Sequence, residues 1–247
     1  MPLLKPKHAA LAVVALAFHT DMLLYYLLVP LLPRYARELH LDQLQVGLLF
    51  GSYAACLLVS TFPLGRAVDR FGRRAVMLTG LLGLGAATLL FAFVHSYPLL
   101  VLARGLQGIA GAATWLPGMA LLADHFPAEE RGAAMGVAFS AANLGGLLGP
   151  PLSGFLVEHV SATAPFMLGA ALVLVDAAGR AFLLEEAHAE LPEPIPVKHL
   201  LAQPVVRAFA GAMVLGSGLW ALLESTLPLH LDRHFGLGPK AIGLCFA

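Results

Sequence analysis

The sequence has 247 residues, of which 59% are hydrophobic and only 12% are charged, with a mean hydropathy of +0.80. A soluble domain has about twice that charged fraction, so the composition argues against a soluble protein and predicts a membrane protein. The formal net charge is zero, which argues against a nucleic-acid partner. Cys56 and Cys245 lie in apolar runs without metal-ligand or redox spacing, and we expect no cofactor and no metal.

Long apolar runs follow one another along the chain, and a helix needs about 20 such residues to cross a bilayer. We predict spans near 9–32, 45–64, 75–95, 98–122, 133–156, 162–184 and 205–230, with an eighth that begins near 240. Because backbone polar groups must be satisfied inside lipid, these runs are predicted to be helices. The first run is longer than the core of a signal peptide, and we interpret it as an uncleaved span.

An acidic, proline-rich segment separates the sixth span from the seventh. The predicted organisation is therefore a six-helix N-terminal half over 1–184, a cytoplasmic linker over 185–204, and the opening of a second half over 205–247. Lysine and arginine are more frequent in the loops on the side of the N-terminus, which predicts a cytoplasmic N-terminus.

The seventh span restarts the pattern of the first, since VGLLFGSYA near Gly47 is echoed by IGLCFA near Gly243. Two six-helix halves are typical of a twelve-span secondary transporter that binds its substrate at the midplane between them. The chain ends inside an apolar run, and we interpret it as a piece truncated within the eighth helix.

Asp21 lies in the middle of the first span, in FHTDMLLYYLLVPLLP. A charge at the bilayer centre costs at least about 2.5–3.5 kcal/mol, so such residues usually face a cavity or a partner. Burial favours a neutral carboxyl group, which predicts a proton or cation site; the alternative is a salt bridge to a neighbouring helix. Tyr25 lies four residues on, where it can hydrogen-bond or stack against the same cationic ligand.

Two further charges lie within predicted spans. Arg104, with Gln107 one turn later in the fourth span, is predicted to be a fixed positive charge that tunes a neighbouring carboxylate; the alternative is an anchor at the membrane interface. Glu224 in the seventh span is interpreted as the counterpart of Asp21, with a proton or substrate role, or else as the partner of a residue on another helix.

Asp176 and Arg180 have helical ion-pair spacing in the sixth span and are predicted to form a self-contained pair.

The loop between the second and third spans combines glycines, arginines and one carboxylate: Gly65, Asp69, Arg70, Gly72, Arg73 and Arg74. Besides anchoring the cytoplasmic side, it is predicted to act as a gate. Gly65 would allow a close helix contact, and Gly72 would adopt a positive φ in a tight turn. Asp69 would accept from arginines or cap a helix, forming a latch that breaks during transport.

The fifth span carries small residues spaced by about one turn, together with a proline pair: Gly145, Gly149, Pro150 and Gly154 with Pro151. Small residues at this spacing let helices approach closely, and the prolines remove backbone donors, which predicts a functional bend. Ordinary small-residue packing is the alternative.

Three of these segments resemble motifs of the major facilitator superfamily. Residues 65–74 are similar to its loop between spans 2 and 3, and Arg104 to Gly108 to its span 4 motif. Gly145 to Gly154 resemble the span 5 motif of its antiporter branches. The resemblance covers the whole chain and implies an all-α, polytopic membrane protein with the major facilitator fold.

Within that superfamily the chain is similar to drug:proton antiporters with twelve helices, especially vesicular amine transporters. The similarity lies around Asp21, the segment Val29 to Pro33, Glu129 to Gly132, Asp176, and Leu223 to Pro228. It implies that Asp21 and Glu224 are substrate or proton sites and that Arg104 takes part in proton coupling. The chain departs from these relatives at Met22, Tyr53 and Ser225, which stand where they carry asparagine, lysine and proline.

The leading hypothesis is proton-coupled efflux of a hydrophobic or cationic drug or amine by alternating access, from a monomer. The expected location is the bacterial inner membrane, with a eukaryotic vesicle as the alternative. The alternatives are a proton-coupled transporter of a neutral metabolite such as a sugar, and a truncated product that does not transport. An enzyme is not expected, because the sequence shows no nucleophile–base set, P-loop or metal cluster.

Overall fold

A computed structural model describes residues 6–93, 96–183, 199 and 202–247. Its helices are α1 (Pro6–Tyr26), α2 (Leu32–Glu38), α3 (Gln43–Phe71), α4 (Arg73–Ala92), α5 (Tyr97–His125), α6 (Ala128–His159), α7 (Ala164–Leu183), α8 (Pro204–Phe235) and α9 (Pro239–Cys245). Seven segments of the described chain are long and apolar enough to cross a membrane, with α1 and α2 forming one of them. The predicted all-α fold class is confirmed. Most of the predicted linker, 185–204, lies outside the described residues.

α3, α5, α6 and α8 extend beyond the predicted spans, whereas α4 ends at Ala92 and α7 begins at Ala164, inside them. The first span is not a single helix. α1 ends at Tyr26, a 3₁₀ turn covers Val29–Leu31, and α2 follows. Pro30 explains the interruption, because proline has no N–H to donate and clashes with the preceding turn. The buried Ser153 of α6 donates a hydrogen bond to the Leu27 carbonyl at this break, with an O···O distance of 2.6 Å.

The ends of α3 follow directly from local sequence. Asp42 and Gln45 form a reciprocal capping box at its start, which satisfies two backbone N–H groups. Gly72 ends the helix at φ 82° and ψ 162°, a conformation almost restricted to glycine. The positive φ expected at Gly72 is therefore present. Gly65 differs from expectation, since a Cβ there would have nothing within 4 Å and no close helix contact lies at that position.

Close helix contacts occur instead along α6. A Cβ on Gly145 would lie 2.2 Å from the His19 carbonyl oxygen of α1, and one on Gly154 would lie 2.4 Å from the Pro239 carbonyl oxygen. From the opposite side, a Cβ on Gly243 of α9 would lie 2.3 Å from the Pro150 carbonyl oxygen. α6 continues through its proline pair to His159, so the prolines do not end the helix.

α8 packs against the preceding helices only in its C-terminal third. All of residues 207–223 are exposed, and the buried positions of α8 are Glu224, Pro228 and Leu229. An ion pair between Arg37, in α2, and Asp232 joins the two parts near the end of α8. The two carboxylates singled out from the sequence therefore lie in helices that meet: Asp21 in α1 and Glu224 in α8.

Candidate functional site

Asp21 lies in an aromatic environment formed by α1, α5 and α6. Its side chain is 1% exposed, and Trp115 Nε1 donates a hydrogen bond to Asp21 Oδ2 at 2.7 Å. The Trp115 ring stacks on Phe18 with centroids 4.0 Å apart, and Phe139 lies 5.8 Å from the same indole. We call these four residues the Asp21 cluster. A carboxylate beside aromatic faces is an arrangement that attracts organic cations.

Glu224 is held by two consecutive tyrosines of α1. Tyr25 donates to Glu224 Oε2 at 2.8 Å, and Tyr26 donates to Oε1 at 2.5 Å. Trp220, one turn earlier in α8, donates from its indole nitrogen to the Tyr26 hydroxyl at 2.7 Å. We call these four residues the Glu224 cluster. Each oxygen of the carboxylate thus has a hydroxyl donor from another helix.

Arg104 is fully buried under aromatic rings. Its guanidinium carbon lies 4.5 Å from the Tyr25 ring centroid, 4.8 Å from Phe50 and 5.8 Å from Tyr53. Its Nη1 donates to Gln107 Oε1 at 2.9 Å, which places Gln107 in the same polar group, as expected. Nε and Nη2 have no hydrogen-bond partner. The ring faces offer cation–π stabilisation in place of hydrogen bonds.

These positions differ from the sequence expectation in two ways. Tyr25 was expected to act with Asp21, but its hydroxyl binds Glu224, because the turn that carries Tyr25 faces α8. Arg104 was expected to lie beside a carboxylate, yet none in the described part of the chain is within ion-pair distance of it. The Tyr25 ring lies between Arg104 and Glu224 and contacts both.

Tyr53 of α3 lies beside the Glu224 cluster. Its ring packs edge-on against Tyr25 at 4.7 Å, and the Arg104 guanidinium carbon lies 5.8 Å from its ring centroid. Sequence reasoning noted Tyr53 only as a departure from a lysine. It missed Tyr26 altogether, although two adjacent tyrosines in an apolar span indicate buried hydroxyls that need partners.

The predicted pair of Asp176 and Arg180 is present, and both side chains are fully buried. Arg180 Nε and Nη2 bind the two Asp176 oxygens at 3.0 and 2.7 Å, and Nη1 donates to the Met77 carbonyl at 2.9 Å. Both charges also act electrostatically on Asp21. The pair therefore belongs to the charged interior around Asp21.

We expect Asp176→Asn to lower the free energy of unfolding by about 3–5 kcal/mol, because it leaves the Arg180 charge buried without its counter-ion. The matched control is Glu38→Gln, which breaks an exposed ion pair with Arg34 at the same i,i+4 spacing and should cost at most about 1 kcal/mol. Denaturant unfolding of the purified protein measures both. Equal decreases in the free energy of unfolding would show that burial does not make the loss of the Asp176–Arg180 ion pair more costly.

Around Gly72, the single residue between α3 and α4, the arginines bind other partners than expected. Arg73 forms an ion pair with Asp124 of α5, and Arg74 donates to the Ala181 carbonyl of α7 at 2.8 Å. Arg70 lies over the Phe71 ring at 5.2 Å. The first residue of α4, Arg73, interacts with Asp69 electrostatically, but Asp69 does not cap that helix. Arg73 and Arg74 lie in the first turn of α4, and their partners lie in the last turns of α5 and α7.

In the described part of the chain, seven helical segments of membrane-spanning length, several of them with buried charges, define a polytopic α-helical integral membrane protein. The family model of the Major Facilitator Superfamily matches residues 14–247, and the chain belongs to this superfamily. The resemblance stated from the sequence motifs is thereby confirmed at the level of the superfamily.

Individual relatives are vesicular transporters. The Synaptic vesicular amine transporter of Bos taurus is 37% identical over 217 residues, covering 87% of this chain and 42% of that protein. The human Vesicular acetylcholine transporter is 35% identical over 221 residues, covering 87% of this chain and 41% of that protein. The chain thus spans less than half the length of these curated relatives.

Solved structures show the same fold. A bacterial homolog to the human lysosomal transporter Spinster, in an inward-facing and occupied conformation, matches with a TM-score of 0.83. It is 17% identical, and the match covers 98% of this chain and 58% of that one. In its inward-facing and unoccupied conformation the TM-score is 0.80.

Proposed function

We propose that the protein takes part in proton-coupled transport of hydrophobic organic cations by alternating access. The observation that carries the proposal is the buried Asp21 carboxylate in its aromatic surroundings, Phe18, Trp115 and Phe139. The names of the vesicular relatives, which specify an amine and acetylcholine, support the same class of substrate.

The chemistry of Asp21 explains how proton and cation would compete. A buried carboxylate is expensive unless its charge is compensated, and either a proton or an organic cation supplies that compensation. The Trp115 N–H stabilises the carboxylate through one hydrogen bond, and the aromatic faces favour a cation over a small anion. Binding of one ligand therefore displaces the other, which is the requirement for antiport.

We further propose a division of roles among the predicted site residues. Asp21 binds the cation or, in exchange, a proton, and Glu224 is the second proton or substrate site, with Tyr25 as its hydrogen-bond donor. Arg104, held by Gln107, supplies a fixed positive charge beside the Tyr25 ring. The loop between α3 and α4 and the glycines of α6 serve the movement of the helices. A monomer in the bacterial inner membrane, with a cytoplasmic N-terminus, remains the proposed setting.

The test uses everted vesicles that contain the protein and have an acidic interior, with a fluorescent probe that reports the pH gradient. Tetraphenylphosphonium is added as the substrate probe, because this permanent cation carries no proton and cannot dissipate the gradient as a weak base. We expect its addition to release interior protons faster than in vesicles without the protein.

Protein-free vesicles and a neutral sugar probe are the controls. An unchanged gradient with tetraphenylphosphonium and with a panel of lipophilic amines would contradict the proposal. A gradient that responds to the sugar instead would favour transport of a neutral metabolite.

A further inference from the structure

A cavity of about 530 Å³ lies between the end of α6 and the start of α9. Glu158 lines it from α6, and the other lining residues are Gly238, Pro239, Lys240, Ala241 and Leu244. Its volume falls within the range of about 300–1,000 Å³ that is typical of sites for small organic molecules. The cavity therefore has room for a ligand of that size.

The two charged side chains of the lining have opposite signs and are not paired with each other. Glu158 is exposed and Lys240 is half-buried, and no ion pair of the described chain involves either of them. The Glu158 carboxylate lies against Gly238, where a Cβ would be 3.8 Å from Oε2. A ligand that satisfies both charged groups must itself carry a positive and a negative group.

An apolar strip leads from this cavity along α6. Leu144, Leu148 and Phe155 are all exposed, and their spacing places them on one face of the helix, which ends with Glu158. Leu244, in the wall of the cavity, is exposed as well. Because α6 has the length and composition of a membrane span, this face offers a surface for acyl chains.

We propose that the cavity binds the headgroup of a zwitterionic phospholipid with a primary ammonium group, of which phosphatidylethanolamine is the type. The ammonium donates to the Glu158 carboxylate, the phosphate accepts from Lys240 Nζ, and the acyl chains follow the apolar strip of α6. With the predicted cytoplasmic N-terminus, α6 ends at the outer leaflet, which supplies the lipid. The site does not depend on any transported substrate.

The two charges together select this headgroup over others. A primary ammonium has three N–H donors for a carboxylate, whereas the quaternary ammonium of phosphatidylcholine has none, and charge-assisted hydrogen bonds are the strong ones. The headgroup of phosphatidylglycerol carries only a negative charge, which attracts Lys240 but is repelled by Glu158. We therefore expect phosphatidylethanolamine to bind more tightly than either.

A bound headgroup would add a contact between two helices that already touch. α6 and α9 meet where Gly154 lies against the Pro239 carbonyl and Gly243 against the Pro150 carbonyl. The lipid contacts Glu158 on one helix and Lys240 on the other, so it binds the assembled pair and not the separated helices. A ligand of the folded state raises the melting temperature by mass action, and phosphatidylethanolamine should do so here.

Native mass spectrometry of the delipidated protein in detergent tests the site. The probes are phosphatidylethanolamine, phosphatidylcholine and phosphatidylglycerol with identical acyl chains. We expect phosphatidylethanolamine to bind roughly two- to fivefold more tightly than phosphatidylcholine, the ratio that one exposed ion pair supplies. Glu158→Gln and Lys240→Gln should each remove this preference. Glu158→Lys places two cations in the cavity and should shift the preference to phosphatidylglycerol.

The matched control is Glu129→Gln, an exposed carboxylate in the first turn of α6, at the opposite end of the helix, which should keep the preference. Equal binding of the three lipids by the unsubstituted protein would overturn the site, as would a preference that persists in both Glu158→Gln and Lys240→Gln. If Glu158→Gln melts at a lower temperature without lipid, Lys240→Gln decides alone. A lipid preference without cation-driven proton release would keep the site and refute the proposed transport, whereas the reverse result would refute the site alone.

Discussion

Asp21→Asn is expected to abolish cation-driven proton release while leaving the protein folded. Asparagine has nearly the same shape, and its side-chain oxygen can accept the bond from Trp115 Nε1 that Asp21 Oδ2 accepts at 2.7 Å. The substitution removes the charge and the titratable proton. Tetraphenylphosphonium has no hydrogen-bond donor, so the substitution removes its Coulomb attraction to the carboxylate, which is about 1–4 kcal/mol for charges 4 Å apart in water or near a protein surface. We therefore expect the affinity for tetraphenylphosphonium to fall roughly 10- to 100-fold.

Two measurements check this result. Equilibrium binding of radiolabelled tetraphenylphosphonium to the purified protein reports the affinity, and the pH gradient in everted vesicles reports coupling. Asp42→Asn is the matched control, since it makes the same chemical change at the exposed N-cap of α3, where asparagine caps a helix as well as aspartate. The Asp42→Asn protein should bind tetraphenylphosphonium and release protons as the unsubstituted protein does.

The outcomes separate two roles of Asp21. Unchanged binding and coupling in Asp21→Asn would refute its assignment as the cation site. Loss of both together with a lower melting temperature would instead identify Asp21 as a structural partner of Trp115 and of the nearby Arg180 charge.

Gly145→Ala is expected to destabilise the protein by more than its single added methyl group suggests. A Cβ at this position would lie 2.2 Å from the His19 carbonyl oxygen and 3.1 Å from the Leu23 amide nitrogen, both backbone atoms of α1. Backbone cannot rotate away as a side chain can, so α1 and α6 must separate. Overpacking of this kind typically costs about 1–3 kcal/mol.

Gly136→Ala provides the control within the same helix. Nothing lies within 4 Å of a Cβ at Gly136, so the substitution should be neutral or should stabilise α6 by up to about 1 kcal/mol through helix propensity. Thermal melting followed by circular dichroism compares the two, and each kcal/mol corresponds to about 2–4 °C. Equal melting temperatures would mean that α1 and α6 separate at no cost.

The Gly145 contact also bears on function, because α1 carries both Asp21 and the tyrosines that hold Glu224. α6 positions α1 through Gly145 and through the bond from Ser153 to the Leu27 carbonyl. The same helix contacts α9 at Gly154. α6 therefore supports Asp21 and the tyrosines of α1 on one side and contacts α9 on the other.

Several features followed from the sequence because they depend on local properties. The spans follow from hydropathy, since the cost of exposing polar groups to lipid applies to each segment separately. The Asp176–Arg180 pair follows from its i,i+4 spacing within one helix. Gly72 has a positive φ because a tight turn there requires one.

The partners of the intramembrane charges were decided by the tertiary structure. Trp115 binds Asp21 from a position 94 residues along the chain, and Tyr26 binds Glu224 from a position 198 residues away. Arg73 likewise pairs with Asp124 and not with the nearby Asp69. Which residues meet depends on how each helix is rotated and where it crosses its neighbours, and many weak contacts along the whole interface set those angles. The sequence by itself determined which charged groups lie within the spans, and only the packing of the helices decided which of them act together.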